Sequence, residues 1–352
     1  MKTESCGERR PGVVHLHPTL KCNLRCRHCY SRSAPGAGGE LDPDAVVGYL
    51  RYLRERHDFR ILSLSGGEPF LYRGLEAVNA AARDMGYQIQ GVTNGMLLGS
   101  RRNRQLLSTF DSLAVSVDGD RALHDSLRAQ EGAYDRMLEG LQILRQEGIR
   151  FGLIHTLTRQ SWTAIPRLLQ LAQESGAGLL QLHALEAAGR AADELDCDVY
   201  LTEADLHRVY ILAAVIRAEG TIRLQLDLAH REYLLAHPEA VFVGPDHAID
   251  RADLFREVII GESGRVLPIS YGFSPDYLID DIHGTNYRTT DPLADFIRAR
   301  GKDLRSLINR TYEEVCHRDG QDIVNWSERL LQNSWRAFRE GATAPQRIVL
   351  AE

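Results

Sequence analysis

The chain has 352 residues, with 42 Lys plus Arg against 48 Asp plus Glu, a formal net charge of −6 and 43% apolar residues. That length can bury a sizeable core in one large or two moderate domains, and these ordinary fractions exclude a disordered, collagenous or low-complexity chain. No run approaches the roughly 18 apolar residues of a membrane span, the opening MKTESCGERRPG lacks the apolar stretch of a secretory signal, and the scattered basic residues form no stripe for nucleic acid. A cytoplasmic protein without membrane or nucleic-acid partners is therefore expected.

From residue 13 to about 190, short β-rich runs alternate with longer amphipathic stretches. Residues 13–19 read as a strand. Asp42 then stands as an N-cap before Pro43, opening a helix over 43–56. Strands follow at 61–65, 87–93, 112–118, 151–157 and 178–185. The helices between them are expected at 75–85, 102–109, 134–146 and 165–174, with Gly86 and Gly148 as stop signals. Six βα units in this order predict an α/β fold with a parallel sheet, a partial (β/α)6 TIM-like barrel over 13–190 behind a tail at 1–12. Residues 191–352 read as a smaller α+β domain. In it Thr202 serves as N-cap with Glu203 and Asp205 in the first turn. A β-hairpin spans 255–270 around GESG, and late helices run through 312–315 and 326–338.

Six cysteines, Cys6, Cys22, Cys26, Cys29, Cys197 and Cys316, are too few for a disulfide scaffold at this length. LKCNLRCRHCYS places three of them at C-x3-C-x2-C spacing just after the first strand. Soft thiolates suit iron–sulfur chemistry, and because a [4Fe–4S] cluster usually takes four, three leave one iron open to a substrate or cofactor. Zinc is the competing occupant, although structural zinc wants a fourth ligand, and His28, adjacent to Cys29, is badly placed to supply it.

Further motifs stand in order behind the cysteines: Ser65-Gly66-Gly67-Glu68-Pro69 after the second strand, Thr93-Asn94-Gly95 after the third and Val115-Ser116-Val117-Asp118-Gly119 at the fourth, then HDSLRAQEGAYDRMLEGL with Arg128. With these, residues 13–190 resemble the radical S-adenosylmethionine (radical SAM) superfamily. The resemblance implies one [4Fe–4S] cluster on Cys22, Cys26 and Cys29 and S-adenosylmethionine as cofactor. It places Gly66, Gly67 and Glu68 at the methionyl amine, Ser116 and Arg128 at the carboxylate, and Asn94 at the ribose or nearby backbone. Tyr30, with His28, is placed for stacking near the adenine, and Leu185 and the Glu186–Arg190 loop contact that base largely through backbone. Asp118 stays outside this first-choice set, as a residue that orders its own Gly119 turn. In such proteins the reduced cluster donates an electron to S-adenosylmethionine, and the resulting 5′-deoxyadenosyl radical abstracts a hydrogen atom.

The hairpin REVIIGESGRVLPIS resembles the entry to the cysteine-rich SPASM or twitch extension of peptide-modifying members, but Ile269 stands where cysteine is expected and only Cys197 and Cys316 follow residue 190. We read a degenerate scaffold that has lost its auxiliary clusters. HLHPTLKCNLRCRHCYS is similar to maturases associated with nitrogenase-type (Nif-like) leader peptides, including the spliceases, which excise a tyramine unit. The expectation is therefore a maturase acting on a ribosomally made precursor peptide, with a separate leader-binding protein and a flavodoxin or ferredoxin as reductant. The alternatives are a radical SAM enzyme acting on a small molecule such as a tetrapyrrole or cofactor precursor, and a non-catalytic Fe–S/SAM-binding protein. Candidate catalytic groups are His15 and His17, which share a strand face, His155 and His183 on the fifth and sixth strands, and Tyr271 behind the hairpin; Cys6 is read as incidental.

Overall fold

Alternating apolar residues in the short runs produce strands with one fully buried face. In the computed structural model, which describes residues 11–241, 244, 251–318 and 320–341, β1 (Gly12–Leu16), β2 (Phe59–Leu64), β3 (Gln88–Thr93), β4 (Ser112–Ser116), β5 (Phe151–Leu157), β6 (Leu179–Ala184) and β7 (Arg223–Leu226) lie side by side, all parallel and in chain order. The six strands read from the sequence are present with ends shifted by a few residues. The seventh escaped that reading because four residues, RLQL, are too short to display a period.

Helices α1 (Pro43–His57), α2 (Leu75–Asp84), α3 (Arg101–Leu107), α4 (Arg121–Arg128), α5 (Ala133–Gln146) and α6 (Ile165–Ser175) fill the crossovers. Asp42 caps α1 by accepting from the Ala45 N–H at 3.0 Å, and Gly176 ends α6 in a left-handed conformation. The strand residues Val14, Leu16, Leu62, Leu64, Val115, Leu153, Leu180 and Leu182 are fully buried in one core with Tyr49 and Leu53 of α1, Val78 of α2, Met137 and Leu141 of α5 and Leu168 of α6. The opposite, inner face carries His15, Ser63, Gln90, Ser116, Thr156, Gln181 and His183, all half-buried. A partial barrel with helices outside and a polar inner face follows.

Beyond residue 190 come α7 (Arg190–Glu194) and α8 (Glu203–Glu219), the latter opened by a capping box in which Thr202 and Asp205 exchange hydrogen bonds. Strand β8 (Ala229–His230) pairs with a short strand near the end of the described chain. The hairpin is formed by β9 (Glu257–Ile260) and β10 (Arg265–Pro268), but it does not stand apart. Strand β9 lies parallel against β1, β10 antiparallel against β9, and β11 (Asp280–Asp281) against β10, extending the same sheet. Residues after 190 thus supply strands to both edges, with helices Pro292–Glu313 and Trp326–Gly341 packed nearby. Among the described residues no helix is long and apolar enough to cross a membrane.

Candidate cluster and cofactor site

The chain leaves β1 at its carboxyl end, and isolated bridges Thr19↔Glu40 and Lys21↔Ala34 close the base of the cysteine loop. Arg27 N–H donates to the Leu127 carbonyl at 2.8 Å, tying the loop to α4. Cys26 is buried, and Cys22 and Cys29 are half-buried; all three are free thiols. Each sulfur lies beside a polar group: Leu24 N–H at 3.4 Å from Cys22, Arg128 Nη1 at 3.9 Å from Cys26 and Ser31 Oγ at 3.4 Å from Cys29. Burial, with Glu68 next, pushes the Cys22 thiol up to about 12. Burial also raises Cys26, against the opposing charge of Arg128. Such thiols ionise when a bound cation supplies the missing positive charge.

Among the described residues no three Cys, His, Asp or Glu side chains converge closely enough to hold a single metal ion. A [4Fe–4S] cluster would take each thiolate on a different iron. Cys22, Cys26 and Cys29 would hold that cluster. His28 is half-buried, with its Nε2 3.4 Å from Asp118 Oδ2.

The Gly-Gly pair is explained by backbone contact. Gly66 has φ +92°, and a Cβ on Gly67 would stand 2.2 Å from the Lys21 carbonyl oxygen. Gly67 and Glu68 N–H groups donate to the Thr19 and Lys21 carbonyls, both at 2.9 Å. The glycines thereby seat the segment after β2 directly on the cysteine loop. Glu68 is buried and accepts from Thr93 Oγ1 at 2.8 Å, Asn94 N–H at 3.0 Å and Phe70 N–H at 3.4 Å. It joins the loops after β2 and β3. Asn94 reaches Asn23 Oδ1 at 2.8 Å and stands 4.0 Å from the Cys22 sulfur, so its side chain serves the cysteine loop.

Burial raises the Glu68 carboxyl to about 7, against those three hydrogen bonds. Its folded value lies above its unfolded one, so the folded state binds the proton more tightly. Its stabilising contribution is complete below about pH 4.3 and declines as pH rises through 7. The stability of Glu68→Gln relative to wild type is therefore expected to improve between pH 4.5 and 7.5, by on the order of 3 kcal/mol at most. Urea midpoints of both cluster-free chains across that range check this, and parallel curves would contradict it.

Arg128 closes α4 beside the loop, buried with its Nε and Nη2 each 2.7 Å from Asp118 Oδ2. Asp118 also accepts from Thr156 N–H at 3.2 Å, and its own N–H donates to His124 Nδ1 at 3.1 Å. Asp118, set aside in the sequence, is thus the hub that orients Arg128. Ser116 lies on the inner face at the end of β4.

The remaining candidates separate cleanly. His17, buried just past β1, stacks on Tyr271 with ring centroids 4.6 Å apart, and Tyr30 meets Tyr271 edge-on at 5.3 Å. Glu262 accepts from the Tyr271 hydroxyl at 3.1 Å. Burial, then His15, hold His17 down to about 3, so its imidazole is neutral. His15 faces inward and pairs with Glu257 of β9 at 3.1 Å, while His183 faces inward and pairs with Asp227. His155 does not share their face. In the β5–β6 register Thr156 stands opposite His183, and His155 is fully buried on the helix side, donating Nδ1–H to the Val117 carbonyl at 2.8 Å. Leu185 packs its side chain with Ala191 and Val199. Ile269 adopts φ +71° where a cysteine was sought, Cys197 is exposed, Cys316 is buried elsewhere with Tyr312 and Val315, and Cys6 lies outside the described residues. The sequence also passed over the side chain of Arg190; a lone arginine behind a glycine offered no local signal.

A three-thiolate loop and a Gly-Gly-Glu-Pro segment at the carboxyl ends of parallel strands define a cofactor-binding partial barrel. Residues 16–172 match the model of the radical SAM superfamily, whose members use a [4Fe–4S] cluster and S-adenosylmethionine. Among curated relatives, the pre-heme d1 synthase of Dinoroseobacter shibae is 36% identical over 180 residues, 51% of this chain and 44% of that protein. The Fe-coproporphyrin III synthase of Methanosarcina barkeri is 30% identical over 198 residues, 56% and 49% of the two chains. The chain therefore spans about half the length of these relatives. SuiB of Streptococcus suis, solved with S-adenosylmethionine, shares the fold at a TM-score of 0.63 with 17% identity, over 83% of this chain and 68% of that one.

Proposed function

We propose that the chain is a radical SAM enzyme that cleaves S-adenosylmethionine reductively and directs the 5′-deoxyadenosyl radical at a small molecule of the tetrapyrrole class. The observation that carries the reading is the Cys22–Cys26–Cys29 loop seated through Gly67 and Glu68 on the segment after β2. When bound, the cluster supplies the electron for the cleavage. The protein's part is to hold and orient. Glu68 and Asn94 lock the loops that flank the cofactor, Arg128 offers the guanidinium face that Asp118 leaves open, and half-exposed Tyr30 covers the cofactor's side of the mouth. The polar inner face, with His15, Gln90, Gln181 and His183, lines the space for substrate.

The substrate class rests on two relatives of 30% identity or more, the pre-heme d1 synthase and the Fe-coproporphyrin III synthase, whose named products are tetrapyrroles. They displace the precursor peptide, its leader-binding partner and the splicease reaction as the first choice. A flavodoxin or ferredoxin is the proposed electron donor. The test is anaerobic reconstitution, reduction and assay of 5′-deoxyadenosine with coproporphyrins, iron-loaded and metal-free, beside Nif-like precursor peptides. Deoxyadenosine coupled to loss of mass from a tetrapyrrole is expected. Coupling to a peptide alone would overturn the substrate class, and no deoxyadenosine from a loaded, reduced chain would leave a non-catalytic binding protein.

A further inference from the structure

The segment after β6 is built around the cysteine loop. Gly189 has φ +57°, and a Cβ there would lie 2.2 Å from the Tyr30 carbonyl oxygen and 2.4 Å from that of Cys29. Arg190 follows, with its backbone N–H donating to the Cys29 carbonyl at 2.9 Å. Its side chain, 5% exposed, runs beneath the loop: Nε donates to the Cys26 carbonyl at 2.8 Å and Nη2 to the Ser33 carbonyl at 2.5 Å. Three carbonyls of the cysteine turn therefore converge on one residue. Outside this buried unit, Arg25 pairs with Glu194 at 2.5 Å and Arg32 with Asp193.

Among the described residues no carboxylate forms an ion pair with Arg190. Burying a guanidinium is costly unless its donors are satisfied, and backbone carbonyls do this only in part for the charge. An arginine held so lends its positive charge to its surroundings, which include the thiol of Cys26, whose carbonyl it binds. A [4Fe–4S] cluster on three thiolates carries net negative charge and gains a further one on reduction. A fixed cation and hydrogen-bond pattern beside it shift its potential upward.

We propose that Arg190 is a positioning residue for the cluster: its fork fixes the Cys26–Ser33 turn that spaces Cys26 and Cys29, and its charge favours the reduced state. The proposal rests on the cluster reading above and extends it to a side chain that binds the backbone of the cysteine loop. It separates two contributions. Lysine at 190 keeps the charge but loses the planar fork that reaches two carbonyls, and glutamine loses the charge.

Four full-length chains decide it: wild type, Arg190→Lys, Arg190→Gln and Arg25→Ala/Arg32→Ala, reconstituted anaerobically. Each is read by iron and sulfide per chain, midpoint potential, the EPR spectrum of the reduced cluster with and without S-adenosylmethionine, and thermal unfolding. Arg190→Gln is expected to hold several-fold less iron, with a more negative potential in the loaded fraction and a heterogeneous spectrum. Arg190→Lys restores the potential but not full occupancy, and the outer double variant matches wild type. Should Arg190→Gln fail to fold, Arg190→Lys still decides, since wild-type occupancy and spectrum in that chain would overturn the role of the fork. A loaded Arg190→Gln chain with wild-type potential and spectrum would overturn the whole proposal while leaving the radical SAM reading intact. Wild type that takes up no cluster would sink both.

Discussion

A Cys22→Ala/Cys26→Ala/Cys29→Ala chain is expected to fold, to take up almost no iron, and to form no 5′-deoxyadenosine under conditions in which wild type holds about four irons per chain. The fold should survive because Cys22 and Cys29 are only half-buried and small. The loop's geometry is maintained by backbone bonds that the substitutions leave in place, those from Cys22 to Ala34, Arg27 to Leu127 and Arg190 to Cys29. The chemistry should vanish because no other set of Cys, His, Asp and Glu among the described residues converges to replace the lost ligands. Iron and sulfide analysis beside circular dichroism separates the two effects. Zinc in place of iron in wild type, or deoxyadenosine from the triple variant, would mean that the three thiols do not carry the reaction.

The second large effect concerns Asp118. This carboxylate is fully buried, and burial alone would lift its pKa, but Arg128 first, then His28 and His124, hold it well below the usual carboxylate range. Removing one member of a buried pair leaves the other charge uncompensated, at a cost of about 3–5 kcal/mol. Asp118→Ala is therefore expected to destabilise the cluster-free chain by that amount at pH 7 and to release Arg128 from its position 3.9 Å from the Cys26 sulfur. Because the folded pKa of Asp118 is depressed, its contribution is present above about pH 4 and is lost as pH falls through the folded value. The gap between wild type and variant should narrow in acid. An Asp118→Leu/Arg128→Met double variant should cost less than Asp118→Ala, since it leaves no orphaned charge. Denaturation curves at pH 7 and pH 3 check both points, and a loss under about 1 kcal/mol at pH 7, the range of an exposed pair, would contradict the hub role of Asp118.

Local chemistry made much of the molecule legible in advance. The six central strands, their helices, the Asp42 and Thr202 caps and the cysteine spacing depend on neighbours a few residues apart, and period and capping are short-range properties. The three-thiol motif was legible for the same reason, since residue type and spacing lie within eight consecutive residues. What sets Arg128 and Arg190 against Cys26 lies 102 and 164 residues away along the chain, and only the parallel order of the strands brings those loops to one end of the barrel. The role of Asp118 was hidden because its partners come from the cysteine loop, β5 and α4. Register decided the histidines. A one-residue offset between β5 and β6 puts His183 on the inner face and His155 among the helices, and side-chain alternation within either strand could not foretell which face would turn inward. The hairpin was readable as a hairpin, but its addition to β1, which carries Tyr271 to His17 and Glu257 to His15, is a pairing between segments some 240 residues apart. The sequence by itself thus determined the cysteine motif and the local elements, because both arise from nearby residues. The tertiary fold alone decided which charges, rings and inner-face groups meet at the site, because sheet order and register are set by burial summed over the whole core.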